Sequence, residues 1–192
     1  VDAGTYTLVV RHPDRQMAER LEVVLREGER TWNLDLGRTS VRGHVRNEAG
    51  EPIAGAHVSA HVVDPEDAPG TFRVVNHRGG MSESGVTADA DGHYELVGVA
   101  SGTPISIHAW VDGLAPARSG PIELAADQER SGVDLVLEVG ATLIVEYEES
   151  AEALRFLTAT HVDGTTQMEQ ATGTSVTLDG LQAGVWTLQL LG

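Results

Sequence analysis

The sequence predicts an all-β protein made of antiparallel β-sandwich modules in tandem, one complete and two partial. Three observations predict it. Apolar and polar residues alternate over short runs along the whole chain, and no run sustains a helical period. Gly, Pro, Asn and Asp punctuate the gaps, as in Asn47-Glu48-Ala49-Gly50-Glu51-Pro52 and Ala90-Asp91-Gly92. A hinge also returns: Leu96-Val97-Gly98-Val99-Ala100-Ser101-Gly102 is echoed 82 residues later by Leu178-Asp179-Gly180-Leu181-Gln182-Ala183-Gly184.

Taken in order, Thr5–Val10 places Tyr6, Leu8 and Val10 on one face. Asp14–Glu22 is the one stretch compatible with a helix. Arg30–Leu36 alternates again, with Trp32, Leu34 and Leu36 inward. Further strands are predicted at Val41–Arg46, His57–Val63, His93–Val97, Ile105–Val111, Val133–Leu137, Thr142–Tyr147, Thr174–Leu178 and Val185–Leu190. Trp186 falls on an inward face. Residues 64–86 form a long connection expected to hold an extra hairpin around Thr71–Val75.

The hinge occurs once more at Ala3-Gly4, 98 residues before Gly102, and Leu34-Asp35-Leu36 returns as Leu135-Val136-Leu137 after 101 residues. These near-equal offsets bracket one whole unit. Residues 38–137 are therefore read as a complete sandwich and residues 1–37 as the back half of a preceding one. Residues 138–192 are the front part of a following one, shortened in its middle and lacking a final strand. Half a sandwich leaves its apolar face wet, at about 1.5–3 kcal/mol per large side chain. Each end piece must pair with chain outside this sequence or with the other end piece, and the first is the expectation.

Composition narrows the function. The net charge of −16, from 29 acidic and 13 basic residues, disfavours phosphate backbones and anionic membrane surfaces. No nucleic-acid partner and no membrane insertion are expected. Every basic residue is an arginine, which fits either a GC-rich genome or a saline setting. Without cysteine, disulfides, thiolate catalysis and Cys-ligated zinc are impossible. The opening Val1-Asp2, with no initiating Met, reads as a processed or excised piece. No Gly-x-Ser-x-Gly elbow, His-x-x-Glu zinc pair or phosphate-binding loop is present, so no catalytic residue and no cofactor are expected.

Three groups of residues are candidate sites. Asp89 and Asp91 suggest a calcium loop, against the ordinary alternative of a side-chain-capped turn. An EF-hand would need Glu at its twelfth position, where counting from Asp89 gives Ala100. His57 and His61 share the outward face of one strand with Ser59, and His44 points outward in its own strand beside Arg42 and Arg46. If these strands are neighbours, three imidazoles could hold zinc or copper; otherwise they are solvated surface. Trp110 and His108 face away from a core that takes Ile105, Ile107, Ala109 and Val111. An outward indole marks a contact, with a neighbouring module or with a sugar ring.

The central unit resembles the carboxypeptidase regulatory-like domain, a transthyretin-like, Ig-like sandwich. The resemblance is carried by Val41-Arg42-Gly43-His44-Val45, by Gly50-Glu51-Pro52-Ile53-Ala54-Gly55-Ala56-His57-Val58, and by Thr87-Ala88-Asp89-Ala90-Asp91-Gly92-His93-Tyr94-Glu95-Leu96. The Gly98-to-Gly102 hinge and Asp112-Gly113-Leu114 complete it, so that it covers most of residues 39–137. Pro104 stands where an aromatic is usual, so the next strand must slip by one residue to turn Ile105 and Ile107 inward. The resemblance implies a domain that accompanies peptidases and performs no hydrolysis itself. Related collagen-adhesin-type modules carry a Lys–Asn isopeptide bond, which a chain without lysine cannot form. The expected role is a structural or adhesive spacer in a larger exported bacterial protein, placed extracellularly, at the cell surface or in the periplasm. Its partners would be neighbouring modules or another protein. A glycan-binding module, or the accessory domain of a secreted peptidase or glycosidase, is the alternative.

Overall fold

The computed structural model of the chain describes residues 2–12, 15–16, 18–28, 34, 36–63, 73–74, 85–147, 155–162, 165–171 and 173–191. All regular structure among them is β. No helix there is long and apolar enough to cross a membrane.

The chain opens with β1 (Gly4–Val10) and β2 (Glu19–Leu25), an antiparallel pair in register from Gly4↔Leu25 to Val10↔Glu19. The helix-compatible reading of Asp14–Glu22 is thus overturned from Glu19 onward: pairing with β1 overrides the helical preference of Glu, Arg and Leu. Leu8, Val9 and Val24 of this hairpin are exposed. Most of the strand expected at Arg30–Leu36, Trp32 included, lies outside the described residues.

The central unit is a sandwich of two sheets. The segment that builds it carries β3 (Ser40–Asn47), β4 (His57–Val62), β5 (Arg73–Val74), which lies outside both of its sheets, β6 (Val86–Thr87), β7 (His93–Val97) and β8 (Ile105–Trp110). They continue with β9 (Leu114–Ala115), β10 (Ala117–Arg118), β11 (Glu129–Arg130) and β12 (Leu135–Val139). One sheet runs β10-β8-β4-β6 and the other β11-β3-β12-β9, with β7 on β3. Most pairings are antiparallel, but β11 and β12 join β3 in parallel. Because residues i and i+2 of a strand share a face, Val58 and Ala60 of β4 meet Val41 and Val45 of β3 across the core, with Ile105 and Ile107 beside them. Both isoleucines are fully buried, as the slip after Pro104 requires, and each stabilises the fold by about 1.5–3 kcal/mol.

One polar group is built into this core. The Tyr94 hydroxyl donates to the Val133 carbonyl at 2.5 Å. Opposite Tyr94 in the ladder stands Gly43, where a side chain would overlap that same carbonyl. Burial, reinforced by the nearby Asp134 charge, raises the Tyr94 phenol above its ordinary pKa.

The last unit contains β13 (Ala141–Glu146), β14 (Arg155–His161), β15 (Thr165–Ala171), β16 (Ser175–Leu181) and β17 (Trp186–Leu191). It repeats the central topology: β13 pairs β16 as β3 pairs β7, and β17-β14-β15 follows the order β8-β4-β6. Leu157, Ala159, Val176, Leu178 and Leu181 form its own small core. Trp186 packs against them, half-buried, and its indole N–H donates to the Gln182 carbonyl. Among the described residues, β1 and β2 pair only with each other.

Most of the hairpin expected around Thr71–Val75 lies outside the described residues. Within that segment only Arg73–Val74 is described, and this β5 adds in parallel to the edge of β15, pairing Arg73 with Thr165 and Val74 with Thr166. The long connection of one unit thereby extends the sheet of the next.

Candidate functional site

Alternation that sends Val58, Ala60, Ile107 and Ala109 inward must send their neighbours to the opposite face of the β4–β8 pair. That face carries His57, Ser59 and His61 opposite Trp110, His108 and Ser106. Two Ser-x-His segments thus run antiparallel to each other. Ser59 Oγ lies 2.9 Å from His61 Nε2, and Ser106 Oγ lies 2.8 Å from His108 Nε2. The two imidazole centroids lie 4.4 Å apart with the rings tilted by 39°, and His57 meets the Trp110 indole at 5.3 Å. Ser59 and Ser106 are buried beneath them. Burial lowers the His57 pKa, because an imidazolium there loses hydration.

His44 does not join this face. Strand β3 belongs to the other sheet, since the connection from β3 to β4 crosses the sandwich instead of forming a hairpin. There His44 Nδ1 stands 3.4 Å from Asp134 Oδ1, and its ring meets His93 edge-on. The three-imidazole arrangement of His44, His57 and His61 is therefore not assembled. Among the described residues, no three His, Asp or Glu side chains are placed to hold one metal ion.

Asp89 caps its turn. Its Oδ1 accepts the backbone N–H groups of Asp91 and His93, at 3.0 and 2.9 Å. Gly92 follows at φ 73°, and Asp91 occupies the tip beside it. The geometry is that of an Asp-stabilised turn into β7.

Trp110, half-buried at the end of β8, also lines a cleft of about 160 Å³ between the central and last units. Asp112 and Leu114 continue that wall, and Gln167, Glu169 and Asp179 form the other. Gln167 and Glu169 stand directly opposite Ala159 and Leu157 in the β14–β15 ladder, so they occupy the face that builds the core. Sequence reading passed over both. The run Thr165-Thr166-Gln167-Met168-Glu169-Gln170-Ala171 has one large apolar side chain, and its only signal is a strand's length of β-compatible residues between turns.

A family model for the carboxypeptidase regulatory-like domain matches residues 40–138, just over half of the chain. The chain belongs to that family. The match begins at β3 and ends within β12. No curated protein matches the chain. Solved structures similar to it include the Streptococcal ancillary pilin, at 12% identity and TM-score 0.36, covering 100% of this chain and 67% of the pilin. The Bacillus anthracis TIE protein is similar at 14% identity and TM-score 0.34, covering 98% of this chain and 33% of that one. The fold of the regulatory-like domain rests on its own strands and core, described above.

Proposed function

We propose that this chain is a non-catalytic structural and adhesive spacer within a larger exported bacterial protein, acting through contacts between modules and between proteins. The observation that carries the reading is the junction between the central and last units. Backbone there meets backbone: β5 extends the sheet of β15, and Gly180 packs against the backbone of Leu114 and Ala115 in β9. Such contacts transmit orientation from one sandwich to the next, which a flexible linker cannot do. Membership in a regulatory-like family supports the same reading, as does an acidic chain of net charge −16 that stays dispersed at neutral pH.

Small-angle scattering tests it. The chain is expected to have a radius of gyration well above the ~16 Å of one compact domain of this length. A value near that figure, together with turnover of a peptide or glycoside substrate, would defeat the spacer reading.

A further inference from the structure

Gln167 is a polar side chain on an apolar face. It is only 4% exposed, and its amide nitrogen has no hydrogen-bond partner among the described residues. A buried donor left unpaired is unfavourable, and departures from binary patterning gather at functional sites. Gln167 lines the cleft between the units together with Trp110 and Asp112. Glu169 and Asp179 line it too, and Asp179 already accepts the Thr142 hydroxyl at 2.8 Å.

From these groups we propose that the cleft binds a neutral pyranose ring of a glycan. The chemistry selects the ligand class. The Gln167 N–H needs an acceptor, the carboxylates of Asp112 and Glu169 offer acceptors, and the indole of Trp110, packed on His57, adds aromatic surface to the lining. A sugar hydroxyl is donor and acceptor at once, and a pyranose presents a C–H face beside its hydroxyls. An ammonium or guanidinium group would suit the carboxylates but leave the Gln167 N–H unpaired. An anionic sugar would be repelled by three carboxylates. The site needs both units, because Trp110 and Asp112 come from the central sandwich while Gln167 and Glu169 come from β15. It therefore exists only where two modules are joined, and it does not depend on the spacer reading.

The test is an array of neutral glycans ending in glucose, galactose, mannose or N-acetylhexosamine, probed with the 192-residue chain, its Trp110→Ala variant and its Gln167→Met variant. Gln167→Met keeps the volume and removes only the amide, so its melting temperature should hold or rise. The expected result is retention of at least one neutral glycan by the parent chain and a loss of tenfold or more in both variants. A poly-arginine peptide should not compete. Three results would each overturn the proposal: no neutral glycan retained by the parent chain, equal retention by Gln167→Met, or displacement by the arginine peptide.

Discussion

Gly98 and Gly180, at the same place in the repeated hinge, have nearly the same left-handed backbone, φ 69° and 71°, and each is covered by chain from the unit before it. Over Gly98 lies Arg15, whose neighbour Gln16 donates its backbone N–H to Val97 at 2.9 Å. Over Gly180 lies the Leu114 carbonyl, 2.5 Å from where a β-carbon would stand. The hinge is a turn and also the seat on which the preceding unit rests.

Gly180→Ala should therefore cost more than its backbone strain, which is about 1 kcal/mol at positive φ. Gly173→Ala is the control, because Gly173 has φ 75° and open space around it. Calorimetry should show a larger loss for Gly180→Ala, with the last unit melting apart from the central one. Equal losses would mean that the seat contributes nothing.

Tyr94→Phe removes the donor to Val133 without opening a cavity and should destabilise the fold by about 1–3 kcal/mol. The phenol pKa is raised in the folded state, so the unfolded chain ionises first as pH climbs. The contribution of Tyr94 is complete below pH ~10 and lost above it. Denaturant melts from pH 8 to 11 should show an alkaline decline that Tyr94→Phe reduces; an unchanged decline refutes the assignment.

His57 gives the opposite limb. Its folded pKa lies below the ordinary value of 6.5, so the unfolded state takes up the proton first as pH falls. Its contribution is present above pH 6.5 and fades below it. His57→Gln should flatten part of the stability loss between pH 7 and 5, measured by urea midpoints. Superimposable acid limbs in parent and variant would exclude His57 as the cause.

Val74→Pro deletes a backbone N–H from β5 and should release the edge of β15. Hydrogen exchange should quicken across Thr165–Ala171 while remaining slow through β7. Unaltered exchange in β15 would show that β5 does not protect it.

Much of this fold was legible because core residues alternate with outward ones, Val41 and Val45 in β3, Tyr94 and Leu96 in β7, and Ile105, Ile107 and Ala109 in β8, and the core of the central unit accepts that pattern directly. The two similar turns were legible too, since a left-handed backbone selects glycine at Gly98 and at Gly180. What escaped were contacts that local pattern does not encode. Strand β2 carries helix-forming residues and owes its state to β1. Strand β15 is too polar to show a face. Alternation turns His44 outward but does not say which sheet carries it, and the chain crosses to the other sheet between β3 and β4. The outward position of Trp110 was readable from the alternation in β8; its companion Gln167 was not, because it lies in another unit.

The pairing of β5 with β15 has a consequence for biosynthesis. The ribosome delivers Arg73 long before Thr165, and at about 5–20 residues per second the interval is on the order of ten seconds. Throughout that time the central sandwich can close while its long connection still awaits a strand that has not been made. A nascent chain stalled there would display an unpaired segment to chaperones and proteases, so the vulnerable moment in the life of this protein falls between two modules.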